Sequence, residues 1–230
     1  MKTLAIDVGG TNLKASVLDE DGALMVDRVR VKTPVGAPPA AVVGALAELV
    51  EPLPPFDRVS VGFPGVVRHG TILTAPNLGN DEWKGFKLGE ALTAKLGKPV
   101  KVLNDAEIQA MAVIKGHGVE MVITLGTGFG TALFLDGRRG AHLELAHHPF
   151  RKGETYDEQL GNAARKRIGK KKWNKRVGKA IDNLRTLTYC DHLYIGGGNS
   201  KKVTLELEPD VTLVSNTAGI EGGLAAWREV

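Results

Sequence analysis

Two glycine-rich turns have the composition of loops that bind anions. Residues 7–12 read Asp-Val-Gly-Gly-Thr-Asn between two apolar runs, and residues 125–131 read Leu-Gly-Thr-Gly-Phe-Gly-Thr in a similar setting. Glycine lets backbone N–H groups approach an anion closely, and an acid such as Asp7 can hold a hydrated divalent cation. Either turn alone is compatible with an ordinary hairpin, but two predict a phosphate chain held from both sides, with Mg²⁺ bound through water near Asp7. The residues expected at the phosphates are Asp7, Gly9, Gly10, Thr11, Asn12, Lys14, Gly126, Thr127, Gly128 and Gly130.

Two other nucleotide-binding patterns fit this chain less well. It has no Walker-type glycine loop that ends in Lys-Ser or Lys-Thr. In a dinucleotide-binding fold a helix follows the glycine loop, whereas residues 131–135 have the pattern of a strand. The sequence therefore disfavours both of these nucleotide folds.

Between the two turns, residues 102–107 read Val-Leu-Asn-Asp-Ala-Glu and pass from a strand pattern to a helix pattern. An aspartate at such a position is commonly a helix N-cap. At the carboxyl end of a strand, Asp105 can also be a general base that accepts the proton of a sugar hydroxyl attacking phosphorus, while Asn104 hydrogen-bonds a neighbouring hydroxyl. The two roles are compatible, and both stay open at this point.

The positive charge of the chain is concentrated in one segment. The whole chain has a net charge of +4, yet residues 165–179 hold nine basic residues and no acidic one, so the remainder is net negative. On a helix this segment forms two stripes. One is apolar and faces the core (Trp173, Val177, Ala180, Ile181, Leu184), and the other is cationic (Lys172, Lys175, Arg176, Lys179). A solvated helix face is one explanation, but unbalanced like charges repel unless an anion is nearby, which favours a polyanionic ligand.

The elements that must position these residues follow an α/β order. The chain starts with a three-stranded meander over residues 2–31, continues as alternating helices and strands to Leu103, and starts a second meander near residue 119. We therefore expect two α/β halves of related design. The expected boundaries are 1–105 for the first domain, with a closing helix at 217–230 packing back on it, and 106–216 for the second.

The composition is that of a globular protein, since 43% of the 230 residues are hydrophobic. No apolar run approaches the roughly 20 residues that cross a bilayer, and Asp7 lies where a signal peptide is apolar. We therefore expect a cytoplasmic protein without a membrane partner. Its one cysteine, Cys190, excludes an internal disulfide and a multi-thiolate metal site.

The order of these motifs resembles that of the actin and hexokinase superfamily. The superfamily's two phosphate loops, two connections and adenosine-type loop are similar to residues 7–11, 104–105, 126–130, 196–198 and 218–222. Within the superfamily, Pro64-Gly65, Asn77-Leu78 and the Glu-Leu-Ala-His sequence at 144–147 look most like the ROK sugar kinases. The resemblance spans almost the whole chain. Ala146 replaces the usual glycine of the family's Glu-x-Gly-His signature.

The resemblance implies two actin-like (ribonuclease H-like) α/β domains flanking a cleft. It implies a kinase that phosphorylates the 6-hydroxyl of a glucose-like hexose, with Asp105 as general base and Mg²⁺ as cofactor. Gly197 and Gly198 would join the donor-binding residues, and a homodimer is common in such families. The implied sugar ligands are Asn77, Asn104, Asp105, Glu144, His147 and one further acid, either Asp157 or Glu158.

One departure separates this chain from most ROK proteins, which carry a cysteine-rich zinc loop after that signature. Residues 148–162 contain no cysteine. We therefore expect no zinc site, and we expect His142 and His148 to be surface or packing residues. The missing loop, the short chain and the Lys-Lys-Lys-Trp sequence at 170–173 resemble the polyphosphate glucokinase branch. Inorganic polyphosphate, with or without ATP, is then the expected donor, and the cationic stripe is expected to bind it.

Three other functions stay open. The chain could be a strictly ATP-dependent kinase of another hexose, such as mannose or an amino sugar, or a catalytically silent sugar sensor. A ROK-type repressor fits less well, because those proteins carry an N-terminal helix-turn-helix domain, whereas this sequence begins with the phosphate-loop strand and retains Asp105. Nucleic acid is therefore not an expected partner.

Overall fold

The computed structural model describes residues 1–76, 78–79, 81–214 and 218–228. The chain divides into two compact units, one formed by Met1–Ala112 with Thr217–Val230 and the other by Val113–Asn216. The sequence analysis ends the first domain at Asp105. In the structure, the helix that begins at Asp105 packs against the helix Ala218–Ala225, and both belong to the first unit.

The strands and helices of the described residues follow one another in the predicted α/β order. The strands are β1 (Thr3–Val8), β2 (Asn12–Leu18), β3 (Val29–Lys32), β4 (Arg58–Phe63), β5 (Val67–Arg68), β6 (Thr71–Ile72), β7 (Val100–Asn104), β8 (Val119–Leu125), β9 (Phe129–Leu135), β10 (Arg138–Arg139), β11 (Pro149–Arg151), β12 (Glu154–Thr155), β13 (His192–Gly196) and β14 (Val211–Leu213). The helices are α1 (Pro39–Val50), α2 (Leu88–Leu96), α3 (Asp105–Met111), α4 (Tyr156–Leu160), α5 (Asn162–Ile168), α6 (Lys170–Thr188) and α7 (Ala218–Ala225). Within these described residues, no helix is both long and apolar enough to cross a membrane.

The sheet of the first unit has the strand order β3-β2-β1-β4-β7. β1 is antiparallel to β2 and parallel to β4, and β4 is parallel to β7. The carboxyl ends of β1, β4 and β7 therefore meet at one edge of the sheet. This edge carries the first glycine loop, the Pro64-Gly65 turn and Asn104-Asp105.

Helices cover both faces of this sheet. Side chains alternate along β1, so that Ile6 lies in the core under α1 and α2, whereas Ala5 packs against Leu224 of α7. Ser60 Oγ donates to Gly223 O (2.5 Å). A Cβ on Gly223 would lie 2.9 Å from the Ala5 Cβ, so α7 approaches the strands as closely as glycine allows.

The sheet of the second unit repeats this design. Its order is β10-β9-β8-β13-β14, with antiparallel neighbours on one side of β8 and parallel neighbours on the other. β8 thus corresponds to β1, and the second glycine loop lies between β8 and β9 as the first lies between β1 and β2. The prediction of two α/β halves of related design is confirmed.

The basic segment forms two helices instead of one, because Gly169, with a φ of 78°, separates α5 from α6. The predicted core stripe of α6 is confirmed, since its members are all buried: Trp173, Val177, Ala180, Ile181 and Leu184. Asn174 is buried beside them, which the periodicity did not predict. Its Oδ1 accepts from Thr204 N (2.7 Å) and its Nδ2 donates to Lys202 O (3.1 Å), so it fastens a neighbouring loop to the helix.

Candidate active site

The loop after β1 is a tight turn closed by its own backbone. Gly9 N donates to Asn12 O (3.1 Å), and a Cβ on Gly9 would lie 2.9 Å from that oxygen. Thr33, which sequence reasoning missed, donates from Oγ1 to Gly9 O (2.5 Å) and from N to Thr11 O (3.0 Å). The carbonyl oxygens of the loop are therefore committed to the protein, and the exposed Gly10 and Thr11 form its tip.

Asp7 and Lys14 lie opposite each other on β1 and β2, next to this loop. Lys14 Nζ donates to Asp7 Oδ2 over 2.8 Å. The Lys14 side chain is 43% exposed and the Asp7 side chain 28%. Mg²⁺ usually keeps several waters and takes one or two carboxylates together with substrate phosphates, a ligand set that Asp7 fits. Within the described part of the chain, no three His, Cys, Asp or Glu side chains form a group that could hold a metal.

Asn104, not Asp105, caps the helix that follows β7. Asn104 Oδ1 accepts from Ala106 N (2.9 Å) and Glu107 N (3.3 Å), and Glu107 Oε2 accepts from Asn104 N (3.3 Å), which completes a capping box. Asp105 is the first residue of α3, half-buried, and its Oδ1 accepts from Ala106 N (2.8 Å). The N-cap function does not require the Asp105 carboxylate, which favours its interpretation as a base.

The Pro64-Gly65 turn holds Asn104 from the neighbouring strand. Asn104 Nδ2 donates to Gly65 O (3.0 Å), and a Cβ on Gly65 would clash with Thr74 O. At most one Nδ2 proton of Asn104 is then left for a sugar hydroxyl. Asn77, another predicted sugar ligand, lies outside the described residues.

The second glycine loop is held from two sides in the second unit. Gly126 N donates to Gly128 O (3.0 Å), and Gly126 O accepts from Asn162 N (3.0 Å) and from Asn199 Nδ2 (3.0 Å). Sequence reasoning missed Asn162 and Asn199, because neither belongs to a motif. As in the first loop, carbonyl groups are used to fix the turn.

The two acids proposed as the further sugar ligand lie in different surroundings. Asp157 Oδ1 accepts from Phe129 N (2.7 Å), and a Cβ on Gly128 would clash with the same oxygen. Glu158 Oε2 accepts from the N (2.8 Å) and Oγ1 (3.0 Å) of Thr155 in the capping box of α4, and these bonds hold the pKa of the Glu158 carboxyl below its usual value. The Glu158 carboxylate thus caps the start of α4, whereas the Asp157 carboxylate, also on α4, contacts the second glycine loop.

The signature residues Glu144 and His147 are exposed around a short 3-10 helix, Leu145–His147. The helix α4, which carries Asp157, packs against this turn. His142 Nε2 lies 3.1 Å from Glu144 Oε2. His142, expected as a surface or packing residue, is therefore also a direct partner of a predicted sugar ligand.

The glycines after β13 lie beside the second loop. Gly197 has a φ of 83°, and a Cβ on it would lie 2.5 Å from Leu125 O. Asn199 N donates to the same oxygen (2.8 Å). The turn that contains Gly197 and Gly198 therefore shares one edge of the second sheet with the Gly126 loop.

The cationic stripe of α6 has two kinds of member. The exposed ones are Lys172, Lys175 and Lys179. Arg176 is half-buried, and its Nη1 donates to Gln159 O over 3.5 Å. Lys179 Nζ lies 5.9 Å from the centroid of the Phe150 ring on β11. Arg176 and Lys179 thus turn toward neighbouring elements of the same unit.

A model of the ROK family matches residues 3–162, more than half of the chain. The chain belongs to the ROK family. The matched part contains both glycine loops, Asn104-Asp105 and the Glu144–His147 signature, and it ends before the basic segment.

Relatives of this ROK protein are found among sequences and structures. The polyphosphate glucokinase of Mycobacterium tuberculosis (strain ATCC 25618 / H37Rv) is 31% identical to it over 238 residues, covering 96% of this chain and 89% of the relative. The inorganic polyphosphate/ATP-glucomannokinase from Arthrobacter sp. strain KM has a TM-score of 0.86 and 31% identity, covering 99% of this chain and 97% of that one. A ROK family glucokinase from Streptomyces griseus has a TM-score of 0.78 at 21% identity, covering 100% and 99% of the two chains. The expected actin-like α/β fold is confirmed.

Proposed function

We propose that this ROK protein transfers a phosphoryl group from inorganic polyphosphate, with ATP as an alternative donor, to the 6-hydroxyl of glucose or a closely related hexose. The observation that carries the proposal is the shared edge of the first sheet, where the first glycine loop follows β1 and Asp105 follows β7. A phosphate loop and a carboxylate base are the parts that this reaction needs. The two relatives with polyphosphate in their names, each 31% identical, support the choice of donor.

In the proposed reaction, Asp105 accepts the proton of the 6-hydroxyl while that oxygen attacks the terminal phosphorus of the donor. The bond between this phosphorus and its bridging oxygen breaks, and the donor leaves one phosphate shorter. The glycine loops hold the phosphates through their backbone, and Lys14 adds a positive charge beside the first loop. Mg²⁺, when held through water near Asp7, would supply further positive charge to the phosphates.

The proposed hexose ligands are Asn104, Asp105, Glu144, His147 and Asp157. Asp157 is preferred over Glu158 because capping bonds occupy the Glu158 carboxylate. While one Asp157 oxygen accepts from Phe129 N, the other is proposed to accept from a sugar hydroxyl. His142 supports the set by fixing the orientation of Glu144.

Turnover of several hexoses with polyphosphate and with ATP tests the proposal. We expect glucose 6-phosphate from either donor, and a loss of about 10²–10⁴-fold in kcat for Asp105→Asn with an unchanged melting temperature. Activity of that variant within about threefold of the parent would remove Asp105 from the mechanism. Turnover with ATP but not with polyphosphate would show that the proposed donor is wrong. Turnover of mannose or an amino sugar but not of glucose would show that the proposed hexose is wrong. No turnover with any pair would favour a sugar sensor.

We further propose that the protein works as a cytoplasmic homodimer, which the resemblance to ROK kinases supports. Light scattering behind a sizing column measures the assembly directly. A monomer at the concentrations of the activity assay would reject the dimer.

A further inference from the structure

Three arginines from three separate elements meet around one carboxylate in the second unit. Arg151 ends β11 and is the register partner of Glu154 on β12. Arg167 on α5 places its Nη2 3.6 Å from Glu154 Oε2 and donates from the same nitrogen to Glu158 O (3.4 Å). Arg176 approaches from α6. The cluster therefore brings three guanidinium groups to one acid.

The packing beneath the cluster partly buries Arg176, whereas Arg151 and Arg167 are exposed. Gln159 is buried and donates from Nε2 to Glu154 Oε2, and its backbone oxygen accepts from Arg176 Nη1 (3.5 Å). Burial and the positive charges of Arg151 and Arg167 lower the pKa of the Arg176 guanidinium, and Glu154 acts in the opposite direction. Excess positive charge favours a bound anion, and guanidinium groups match phosphate oxygens in pairs.

Helix α5 connects this cluster with the second glycine loop. Asn162 N, at the start of α5, donates to Gly126 O (3.0 Å), and Arg165 Nη2 donates to Asn162 Oδ1 (2.9 Å). Arg167 follows further along the same helix, roughly 7 Å from Asn162 along its axis at about 1.5 Å per residue. A phosphate chain that ends on the glycine loop can reach the cluster only if it continues beyond the loop, whereas a nucleotide ends in its adenosine.

We propose that Arg151, Arg167 and Arg176 form a subsite for internal phosphates of inorganic polyphosphate and so favour long chains over ATP and short oligophosphates. The inference rests on the proposed function and extends it to a site outside the two glycine loops. The match to the ROK family model ends at Asn162, so Arg167 and Arg176 lie beyond the part that the match covers.

Direct binding of polyphosphate to the full chain tests the subsite without relying on turnover. Equilibrium dialysis at several salt concentrations compares long-chain polyphosphate with tripolyphosphate, for the parent and for Arg151→Gln/Arg167→Gln. The matched control is Arg28→Gln/Arg30→Gln, which removes two exposed arginines of the first unit.

We expect the Arg151→Gln/Arg167→Gln pair to weaken long-chain binding by about tenfold or more, because hydrogen bonds to charged groups are lost. The slope of log K against log salt should fall by about 1.4, since each cation contributes about 0.7 on a single strand. Tripolyphosphate binding and the KM for ATP should change by less than about twofold, as should long-chain binding by the control pair. Glu154→Gln removes the negative charge that the three arginines share and should strengthen long-chain binding.

Three results would overturn the subsite: unchanged long-chain binding, an equal loss in the control pair, or equal competition by an oligoribonucleotide. If the glutamine pair has a lower melting temperature than the parent, Arg151→Lys/Arg167→Lys is used instead, because it keeps the charge. This lysine pair should still bind long chains more weakly while retaining the salt slope. Parent-like affinity of the lysine pair would also overturn the subsite. Arginine-dependent binding without phosphoryl transfer from polyphosphate would leave the subsite standing and reject the donor in the proposed function. Polyphosphate turnover that is unchanged in the Arg151→Gln/Arg167→Gln pair would reject the subsite and leave the proposed donor standing.

Discussion

Asp157 Oδ1 accepts a hydrogen bond from Phe129 N over 2.7 Å, so a proposed sugar ligand also holds the second glycine loop. Asparagine keeps an acceptor for Phe129 N but loses the charge, and alanine loses both. We therefore expect Asp157→Asn to raise the KM for the hexose by about tenfold with little change for the donor, and Asp157→Ala to raise both. Steady-state kinetics with each substrate varied separates the effects. A donor KM that stays unchanged in the alanine variant would show that the loop does not need this bond.

Gly128 lies against the same carboxylate, so that even a methyl side chain at this position tests the contact. A Cβ at Gly128 would clash with Asp157 Oδ1, whereas a Cβ at Gly126 meets nothing within 4 Å. We expect Gly128→Ala to raise the donor KM by about tenfold or more, through loss of the charged hydrogen bond, and Gly126→Ala to cost less. Larger residues such as valine at 128 should be worse. The reverse order of the two alanine variants would mean that the clash does not control donor binding.

The capping box separates stability from catalysis at two adjacent residues. Asn104→Ala removes the N-cap and the bond to Gly65 O, so we expect it to lower the free energy of unfolding by about 1–2 kcal/mol. Asp105→Ala leaves the cap in place and should unfold like the parent while losing activity. Urea denaturation of both variants measures this difference. If Asp105→Ala were the less stable protein, the cap would be wrongly assigned.

The sequence predicts what depends on local patterns. The two glycine loops lie between apolar runs, and strands that end or begin at such loops follow from the same periodicity. The buried stripe of α6 follows from the helical repeat, because one face of the helix packs in the core that it shares with β8 and β13. The change from strand to helix was correctly placed at Asn104-Asp105, and Asn104 proved to be the cap.

Residues that fix the site through distant contacts leave no such pattern. Thr33, Asn162 and Asn199 belong to no motif in the sequence, and only the folded chain brings them to the carbonyl oxygens of the glycine loops. Arg151 lies outside the basic segment, and its charge acts on Arg176 only because β11 lies beside α6 in the folded chain. Such contacts depend on tertiary packing, which periodicity does not describe.

The contact between the buried Glu120 and Tyr194 in the second unit makes the free energy of unfolding depend on pH in the alkaline range. Its carboxylate accepts from the N–H groups of residues 115–117 and from Tyr194 Oη (2.8 Å). Burial and the bond to Glu120 raise the pKa of Tyr194 from 10.0 to about 12. The native state therefore holds the phenol proton more tightly than the unfolded chain, so this stability is complete below about pH 10 and is lost as the pH rises to about 12.

Between pH 10 and 12 we expect the free energy of unfolding of the parent to fall by about 2 kcal/mol more than that of Tyr194→Phe. Tyr189→Phe is the matched control, because Tyr189 is 86% exposed, and it should follow the parent. Chemical denaturation at a series of pH values gives the three curves. Parallel curves for the parent and Tyr194→Phe would contradict the assignment.

Lys172 and Lys175 belong to the cationic stripe but face solvent, unlike the half-buried Arg176. An exposed ammonium group attracts a polyanion mainly as a point charge that salt screens, whereas guanidinium groups match phosphate oxygens in pairs. We expect Lys172→Gln/Lys175→Gln to raise the KM for long polyphosphate by about two- to threefold at low salt and not at high salt, with the KM for ATP unchanged. Lys95→Gln/Lys98→Gln, two exposed lysines of the first unit, is the control for net charge. A loss as large as that of the arginine pair would place the bound chain along the whole stripe, and no loss would make these lysines an ordinary solvated helix face.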